Sequence, residues 1–479
     1  MEKNDYVTIL IVMFIFVILF VITNKIDSLN KQNIYAYDLF NTNKVHEINI
    51  DISEDDLLEL LENPLAKTKY EVDITIDGVK VEDVSFSTKG NSSLFYTSKN
   101  KKSNRYNFKI NFGKFVQNQT FYDLDKLHLN SCYADPTFMK DFLSYQIFNE
   151  IGVKAPLTSY VWLTINGINH GLYLAIEDIS DSFMERNDMI GNLYKPENES
   201  SNIVGDNKNN INNNKNIFVD EETGLLIKEL TDDFGASLIY TDDDFESYTD
   251  IFNNAENKIS DDDKIRVITA LKKLSKNEEL DSYLETDEII KYFAVHNFIM
   301  SYDSYTGAML HNYYLYEEDG KISILPWDYN EGFASFGALG LSGRNASSII
   351  NQGIDVPILG GLVNQRPLWE FIINNEIYLN KYHLEMENII KEYFESNKYV
   401  REINRIKRTI SPYVKKDSSL QFDYERFELA VDTLKKFCKN RTESVKLQLN
   451  GVLSTSSIEQ DKELRIDASD IKIKNMVFK

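Results

Sequence analysis

The fold of this chain is decided by the segment Phe298-Ile-Met-Ser-Tyr-Asp303-Ser-Tyr-Thr-Gly307-Ala-Met-Leu-His311-Asn312-Tyr-Tyr-Leu-Tyr316 and by Ile322-Ser-Ile-Leu-Pro-Trp327-Asp328-Tyr-Asn330, which follows it. The pattern places Asp303 on a turn after a helix and predicts two apolar strands joined by a tight turn at 317–321. His311 and Asn312 open the first strand, and Asp328 ends the second. Two carboxylates and a carboxamide therefore converge at one end of a hairpin. This arrangement can hold Mg²⁺ on the phosphates of a nucleotide and position an attacking hydroxyl.

The composition is that of a folded and acidic protein. Of 479 residues, 42% are hydrophobic and 12% aromatic, which supports a sizeable core and excludes global disorder. The net charge of −23 excludes nucleic acid as the main partner and is compatible with a basic protein substrate. The two cysteines and six histidines show no spacing typical of a disulfide framework or a zinc hydrolase. An anionic ligand would therefore have to be bound by individual lysines.

The N-terminal segment at residues 6–22 is uncharged and nearly all apolar. Its 17 residues are at the short end for a membrane span, and no Ala-x-Ala cleavage site follows. We therefore expect an uncleaved transmembrane helix that anchors an extracytoplasmic body, with a removed signal peptide as the alternative.

The rest of the chain divides by composition. We expect an anchor or signal at 1–25, a polar tether at 26–43, one large domain at 44–451 and a polar tail at 452–479. Within the domain, strand patterns dominate about 44–180 and helical patterns about 225–451. An Asn-rich stretch at about 197–220 predicts a low-complexity insertion. The fold class is therefore predicted to be α+β.

Basic and small residues of the first half are candidates for binding phosphate. A polar loop between two predicted strands can cradle phosphate with its glycine and its backbone N–H groups, although a plain hairpin loop is the alternative. Lys109 lies on the next strand and faces the same side as Arg105, which an exposed edge strand would explain equally well. The loop candidates and a rival lysine further along are Lys89, Gly90, Asn91, Ser92 and Lys195.

A set of motifs, taken together, resembles the CotH family of spore-coat protein H-type atypical protein kinases. The resemblance runs from about Val45 to Gly451. Its motifs are Arg105-Tyr-x-x-Lys109, Leu127-x-Leu129-Asn130-Ser131, Asp135-Pro136, Asn166-Gly167 with Gly171-Leu-Tyr173 and Glu177, Gly191-Asn-Leu-Tyr-Lys195, Asp303-Ser-Tyr with His311-Asn312, and Pro326-Trp327-Asp328. The resemblance implies a two-lobed, atypical protein-kinase-like fold with a β-rich N-lobe and a mostly helical C-lobe, preceded by the transmembrane helix.

The resemblance also implies roles for the hairpin residues. Asp303 would be the catalytic-loop aspartate, and Asp328 the metal-binding aspartate. Asn312 fits a second Mg²⁺ ligand, but its interval from Asp303 is longer than in ordinary kinases, so its role stays open. His311 would contact phosphate or stabilise the loop.

Three further assignments have alternatives. Trp327 packs in the core or stacks on adenine. Glu177 marks the link between lobes or simply ends a strand. The acidic partner of Lys109 on the following helix is Asp141 or Glu150.

The function implied by the resemblance is an ATP- and Mg²⁺-dependent protein kinase. It would phosphorylate Ser or Thr hydroxyls on spore-coat or envelope proteins, with a basic, Ser-rich protein as the expected partner. Two alternatives stay open: a catalytically silent structural or assembly protein of the coat or envelope, and an AMP-transferring enzyme of the same fold.

Overall fold

The structure is a computed structural model that describes residues 33–100, 103–197, 217–219, 226–228, 235–307, 309–336, 346–359 and 362–477. The strands are β1 (Val45–Asp51), β2 (Tyr70–Ile76), β3 (Val79–Lys89), β4 (Asn107–Asn111), β5 (Lys126–Asn130), β6 (Thr158–Ile165), β7 (Ile168–Glu177), β8 (Asn192–Tyr194), β9 (Ile217–Val219), β10 (Leu226–Lys228), β11 (Tyr313–Glu318) and β12 (Lys321–Pro326).

The helices precede, follow and connect these strands. They are α1 (Ile34–Asp38), α2 (Glu54–Glu62), α3 (Ser92–Lys99), α4 (Lys140–Glu150), α5 (Asp181–Arg186), α6 (Thr249–Phe252), α7 (Asp261–Lys276), α8 (Leu280–Tyr283), α9 (Thr286–Ile299), α10 (Ala346–Ile350), α11 (Pro367–Ile373), α12 (Glu376–Ile389), α13 (Lys398–Lys416) and α14 (Tyr424–Leu449). A π-helical turn, Ile390–Glu395, extends α12.

Seven strands of the first half form a closed barrel in the order β1-β2-β3-β4-β5-β7-β6. Neighbours pair antiparallel except at the closure, where β1 runs parallel to β6 from Val45 opposite Tyr160 to Ile50 opposite Ile165. In β2 every second residue is buried, as expected for a strand with one face toward the barrel interior. The interior is filled by apolar side chains, among them Ile74 and Phe108, both at most 1% exposed.

The barrel wall also packs against the helical half. Val161 of β6 belongs to the barrel interior, whereas its neighbours Tyr160 and Trp162 belong to the core shared with the helices. Because β6 is covered on both faces, its residues 160–163 are all apolar instead of alternating with polar ones. The barrel therefore has its own interior core, and its outer wall contributes to a second hydrophobic core shared with the helical half.

The predicted two-lobed, kinase-like fold with a leading transmembrane helix is wrong. The strands expected to form a β-rich N-lobe close into a barrel through the parallel β1–β6 pair, a long-range contact that strand periodicity does not reveal. Within the described residues, no helix combines the length and apolar character that a bilayer crossing requires. The segment 6–22, to which the anchor was assigned, lies outside the described residues.

The hairpin that carries the candidate site is confirmed. β11 and β12 pair antiparallel from Tyr313 opposite Pro326 to Glu318 opposite Lys321, and β8 extends the sheet beside β11. Helix α9 ends when Met300 adopts a left-handed conformation with φ of 58°, which turns the chain into the loop of Asp303. Asp303 and Asp328 are thus placed by a helix end and a strand end.

Candidate active site

A pocket of about 360 Å³ lies between the barrel strands β3 to β5 and the Asp303 and Asp328 turns. Its volume is within the range of small-molecule binding sites. The structure brings together in its lining all the predicted site residues but one: Lys89, Gly90, Asn91, Ser92, Lys109, Lys195, Asp303, His311, Asn312, Trp327 and Asp328.

Glu177 is the predicted site residue that lies elsewhere. Its carboxylate is fully buried, forms an ion pair with Arg186 at 2.6 Å and accepts a hydrogen bond from the Tyr35 hydroxyl at 2.6 Å. The strand end at Glu177 therefore attaches α1 and α5 to the barrel.

Asp303 is held by the two residues that immediately precede β11. A ring nitrogen of His311 lies 2.5 Å from the Asp303 carboxylate, and the Asn312 side-chain amide donates to the same carboxylate at 3.1 Å and to the Asp303 carbonyl at 2.9 Å. Burial alone would lower the pKa of His311, but the charge and hydrogen bond of Asp303 raise it above its ordinary value. His311 thus lines the pocket and also orients Asp303.

Asp328 is fixed through its backbone. Its N–H donates to the Tyr145 hydroxyl at 2.9 Å, and the next N–H, of Tyr329, donates to the Asp141 carboxylate at 2.7 Å. Both acceptors belong to α4, so this helix supports the Asp328 turn from behind. Burial raises the pKa of Asp328, with Asp303 adding to this effect and Lys89 opposing it.

Lys109 has a different partner from the two that the sequence suggested. Its ammonium lies 2.6 Å from Asp178, which is also 3.1 Å from a ring nitrogen of His128. Burial tends to raise the pKa of Asp178, but His128 and Lys109 lower it well below its ordinary range, so the carboxylate is ionised. Asp141 instead supports the Asp328 turn, and Glu150 pairs with Lys398 at 2.6 Å.

The other two predicted lysines lie over aromatic rings. The Lys89 ammonium is 5.2 Å from the centre of the Trp327 ring, and the Lys195 ammonium is 5.8 Å from that of Tyr314 and 3.4 Å from Glu197. Burial lowers the pKa of Lys89 to about 8, although Asp328 counteracts the shift. Trp327 is 4% exposed and packs edge-on against His128 and Tyr314, which fits a packing role as well as a place in the pocket wall.

The loop between β3 and α3 covers one side of the pocket. Gly90 has φ of +94°, and a Cβ there would lie 2.7 Å from the Ser93 hydroxyl, so glycine is required for this turn. Ser92 is the first residue of α3, where backbone N–H groups lack helical partners. Asn91 accepts a hydrogen bond from Lys67 at 2.8 Å.

Sequence reasoning missed several residues of the lining, among them Lys67, His128, Asp178 and Glu256. Asp178 directly follows Glu177, and of these two neighbouring carboxylates it is Asp178 that lines the pocket. Strand alternation offers the signal, because consecutive residues of a strand face opposite sides. No comparable local pattern marks Lys67 or Glu256.

The oxygen atoms of the site suit Mg²⁺. Within the described part of the chain, no group of three or more His, Cys, Asp or Glu side chains is arranged to hold a metal ion. Mg²⁺ is commonly bound by only one or two carboxylates together with water and substrate phosphates. The carboxylate of Asp328 and the carboxamide of Asn312, which both line the pocket, fit such a partial set of ligands.

The fold and site thus combine a closed barrel, a helical half and a pocket lined by lysines together with two turn-borne aspartates. The family model described as CotH kinase protein matches residues 86–445. The chain therefore belongs to the CotH family, which confirms the resemblance.

Two curated proteins of Bacillus subtilis (strain 168) are similar to this chain. It is 23% identical to the inner spore coat protein H over 428 residues, which covers 88% of this chain and 99% of that protein. It is also 48% identical to the inner spore coat protein H-like protein over 52 residues, which covers 11% of this chain and 17% of that protein.

Proposed function

We propose that this protein is an ATP- and Mg²⁺-dependent protein kinase that phosphorylates Ser or Thr hydroxyls of spore-coat or envelope proteins. The observation that carries the proposal is the convergence of Lys89, Lys109 and Lys195 with Asp303 and Asp328 on one pocket. In a chain with a net charge of −23, such a local group of lysines is what a phosphate ligand requires. The family membership and the similarity to inner spore coat protein H support the same proposal.

Each residue contributes by binding or positioning. Lys109 neutralises phosphate oxygens from the barrel and Lys195 from the end of β8, while the loop at 89–92 covers them with backbone N–H groups. Asp328 and Asn312 would hold Mg²⁺, which supplies charge neutralisation on the phosphates. Asp303, oriented by His311 and Asn312, accepts a hydrogen bond from the acceptor hydroxyl and aligns it for transfer.

The acceptor is expected to be a basic, Ser-containing protein. The chain is strongly acidic, and three glutamates also line the pocket: Glu197, Glu256 and Glu331. A positively charged acceptor would be attracted to this surface, most strongly at low ionic strength.

The test is intact-mass analysis of the full-length chain, and of a basic Ser-rich peptide, after incubation with ATP and Mg²⁺. Asp303→Asn and Asp328→Asn should each reduce phosphate incorporation by about 10³-fold or more, because they remove hydroxyl positioning or metal binding. Asp432→Asn, at a surface aspartate that is 61% exposed, is the matched control.

The proposal is supported if the parent and Asp432→Asn gain phosphate mass while Asp303→Asn and Asp328→Asn do not. A gain of AMP mass would replace it with nucleotidyl transfer. No gain in any sample, together with no Mg²⁺-dependent ATP binding, would favour the structural or assembly role.

A further inference from the structure

His296 lies in α9, the helix that precedes the Asp303 loop, and is 1% exposed. Its two ring nitrogens each lie 2.7 Å from a different hydroxyl, Nδ1 from that of Tyr329 and Nε2 from that of Thr306. His296 does not line the pocket of Asp303 and Asp328. Its contacts nevertheless reach both of the segments that carry those carboxylates.

The two residues that His296 contacts lie next to the two carboxylates of the pocket. Tyr329 directly follows Asp328, and Thr306 belongs to the same short loop as Asp303. We propose that His296 is a positioning residue whose imidazole ties the Asp303 loop to the Asp328 turn and so sets the distance between the two carboxylates. This inference rests on the proposed function, because its importance for activity requires both carboxylates to act on one nucleotide.

The surroundings hold the imidazole in one orientation. The ring stacks on Tyr292 with centres 5.3 Å apart and planes 13° from parallel. The Ser304 hydroxyl lies 3.1 Å from Nε2 and donates to the Ser301 carbonyl at 2.6 Å, so the loop has a second contact with the same nitrogen. A small rotation of the ring would therefore disturb the hydrogen bonds to both Tyr329 and Thr306.

The neutral form of the His296 imidazole can make both hydrogen bonds at once. Burial lowers the pKa of His296 to about 3, so the ring is neutral at physiological pH. A neutral imidazole has one N–H donor and one acceptor nitrogen, and hydroxyl groups can serve as partners of either. Both hydrogen bonds are thus satisfied without burying a charge, which would be costly in this apolar setting.

The Asp303 loop is fixed from its other side as well. The buried guanidinium of Arg366 donates to the carbonyls of Tyr305 and Gly307, each at 2.7 Å. That contact holds the loop to α11 but makes no connection to Asp328. The His296 side chain thus joins the two carboxylate-bearing segments by side-chain hydrogen bonds. The backbone N–H groups of Phe333 and Ala334 add hydrogen bonds to the carbonyls of Ile299 and Met300.

The test compares two single variants with the double variant. Tyr329→Phe removes the hydrogen bond between His296 and the Asp328 turn, and Thr306→Val removes the one between His296 and the Asp303 loop. Tyr382→Phe is the matched control, because it removes an equally buried tyrosine hydroxyl that bonds the Ile354 carbonyl at 2.8 Å. The measurements are kcat and KM for ATP, the thermal midpoint and the affinity for Mn²⁺ in the presence of ATP.

We expect each single variant to lower kcat about 10-fold, since misplacement of a positioned group by about 1 Å costs rate steeply. KM for ATP should change less than about 2-fold, because the phosphate-binding lysines are untouched. The double variant should be no slower than the slower single variant, since one cut already breaks the tie. Tyr382→Phe should lower the thermal midpoint as much as Tyr329→Phe while kcat stays at the parent value.

A conservative replacement adds a second readout. His296→Gln, which offers both a donor and an acceptor, should retain more kcat than His296→Leu. Equal kcat values in Tyr329→Phe and Tyr382→Phe would overturn the positioning role of His296. A double variant whose loss of kcat is the product of the two single losses would also overturn it. In either case the proposed kinase function stands.

If the parent protein transfers no phosphate, the proposed function is the one that fails. The affinity for Mn²⁺ then tests the positioning role of His296 by itself. Weaker Mn²⁺ binding in Tyr329→Phe than in Tyr382→Phe supports this role, and equal binding overturns it. A parent that neither transfers phosphate nor binds Mn²⁺ overturns both proposals.

Discussion

At the scale of single residues, the ionisation of Lys89 is the most informative property of the pocket. Lys89 is half-buried, and burial lowers its pKa from 10.5 to about 8, while the charge of Asp328 acts in the opposite direction. Between these two pH values the unfolded chain binds more protons at this residue than the folded chain. The contribution of Lys89 to stability therefore rises with pH across that window.

This shift predicts how Lys89 reacts with amine reagents. In the protein without nucleotide, the labelling rate of Lys89 should rise with a midpoint near pH 8, because only the neutral amine is nucleophilic. In Asp328→Asn the midpoint should move lower, since the opposing charge is removed, and in Asp432→Asn it should not move. Peptide mass spectrometry across a pH series measures the midpoint, and a value near 10 in the parent would contradict the predicted burial effect.

At the scale of elements, one buried ion pair connects the barrel to the end of α13. The Arg105 guanidinium lies 3.0 Å from the Asp417 carboxylate, and their side chains are 7% and 1% exposed. Arg105 also donates to the carbonyls of Ser131 and Leu172, and Asp417 accepts from the Leu172 N–H at 2.8 Å. Arg105, for which the sequence left open a phosphate-binding face or an exposed edge strand, is therefore part of the junction between barrel and helices.

Breaking this junction from one side should be costly. Arg105→Met leaves Asp417 buried without its cation, which typically costs about 3–5 kcal/mol of unfolding free energy. Lys436→Met, which removes an exposed ion pair with Asp470, is the control and should cost less than about 1 kcal/mol. Urea unfolding measures both losses, and equal losses would show that the Arg105–Asp417 pair does not stabilise the junction.

At the scale of the whole molecule, the C-terminal residues pack back on the body. Ile473, Met476 and Val477 are each at most 6% exposed, and the 3₁₀ turn Ile473–Met476 lies against α14. The fully buried ammonium of Lys140 donates to the Met476 carbonyl at 3.1 Å. Lys140 begins α4, the helix that supports Asp328, so the C-terminal residues reach the site through this helix.

Removal of this segment should therefore loosen α4. A chain ending at Ile471 loses the carbonyl partner of Lys140 and exposes apolar surface of α14, whereas a chain ending at Val477 keeps both. We expect a lower thermal midpoint and faster hydrogen exchange in α4 for the shorter chain alone. Hydrogen exchange followed by mass spectrometry tests this expectation, and identical protection of α4 in the two chains would refute it.

The sequence by itself determined the local features of this protein. The β11–β12 hairpin and the helix that precedes Asp303 follow from patterns within a few residues, since apolar alternation and turn residues act locally. The convergence of Asp303, Asn312 and Asp328 was predictable for the same reason, because a hairpin brings its two open ends together. The acidic composition likewise implied that an anionic ligand would have to be bound by individual lysines.

The tertiary structure alone decided the long-range features. Closure of the barrel joins Val45 to Tyr160, the partner of Lys109 is Asp178 instead of Asp141 or Glu150, and Glu177 is a buried anchor outside the pocket. His296 likewise gained its place between Tyr329 and Thr306 only through packing. The physical reason is that periodicity reports which face of an element is apolar, whereas the partner of that face is selected by packing between residues far apart in the chain.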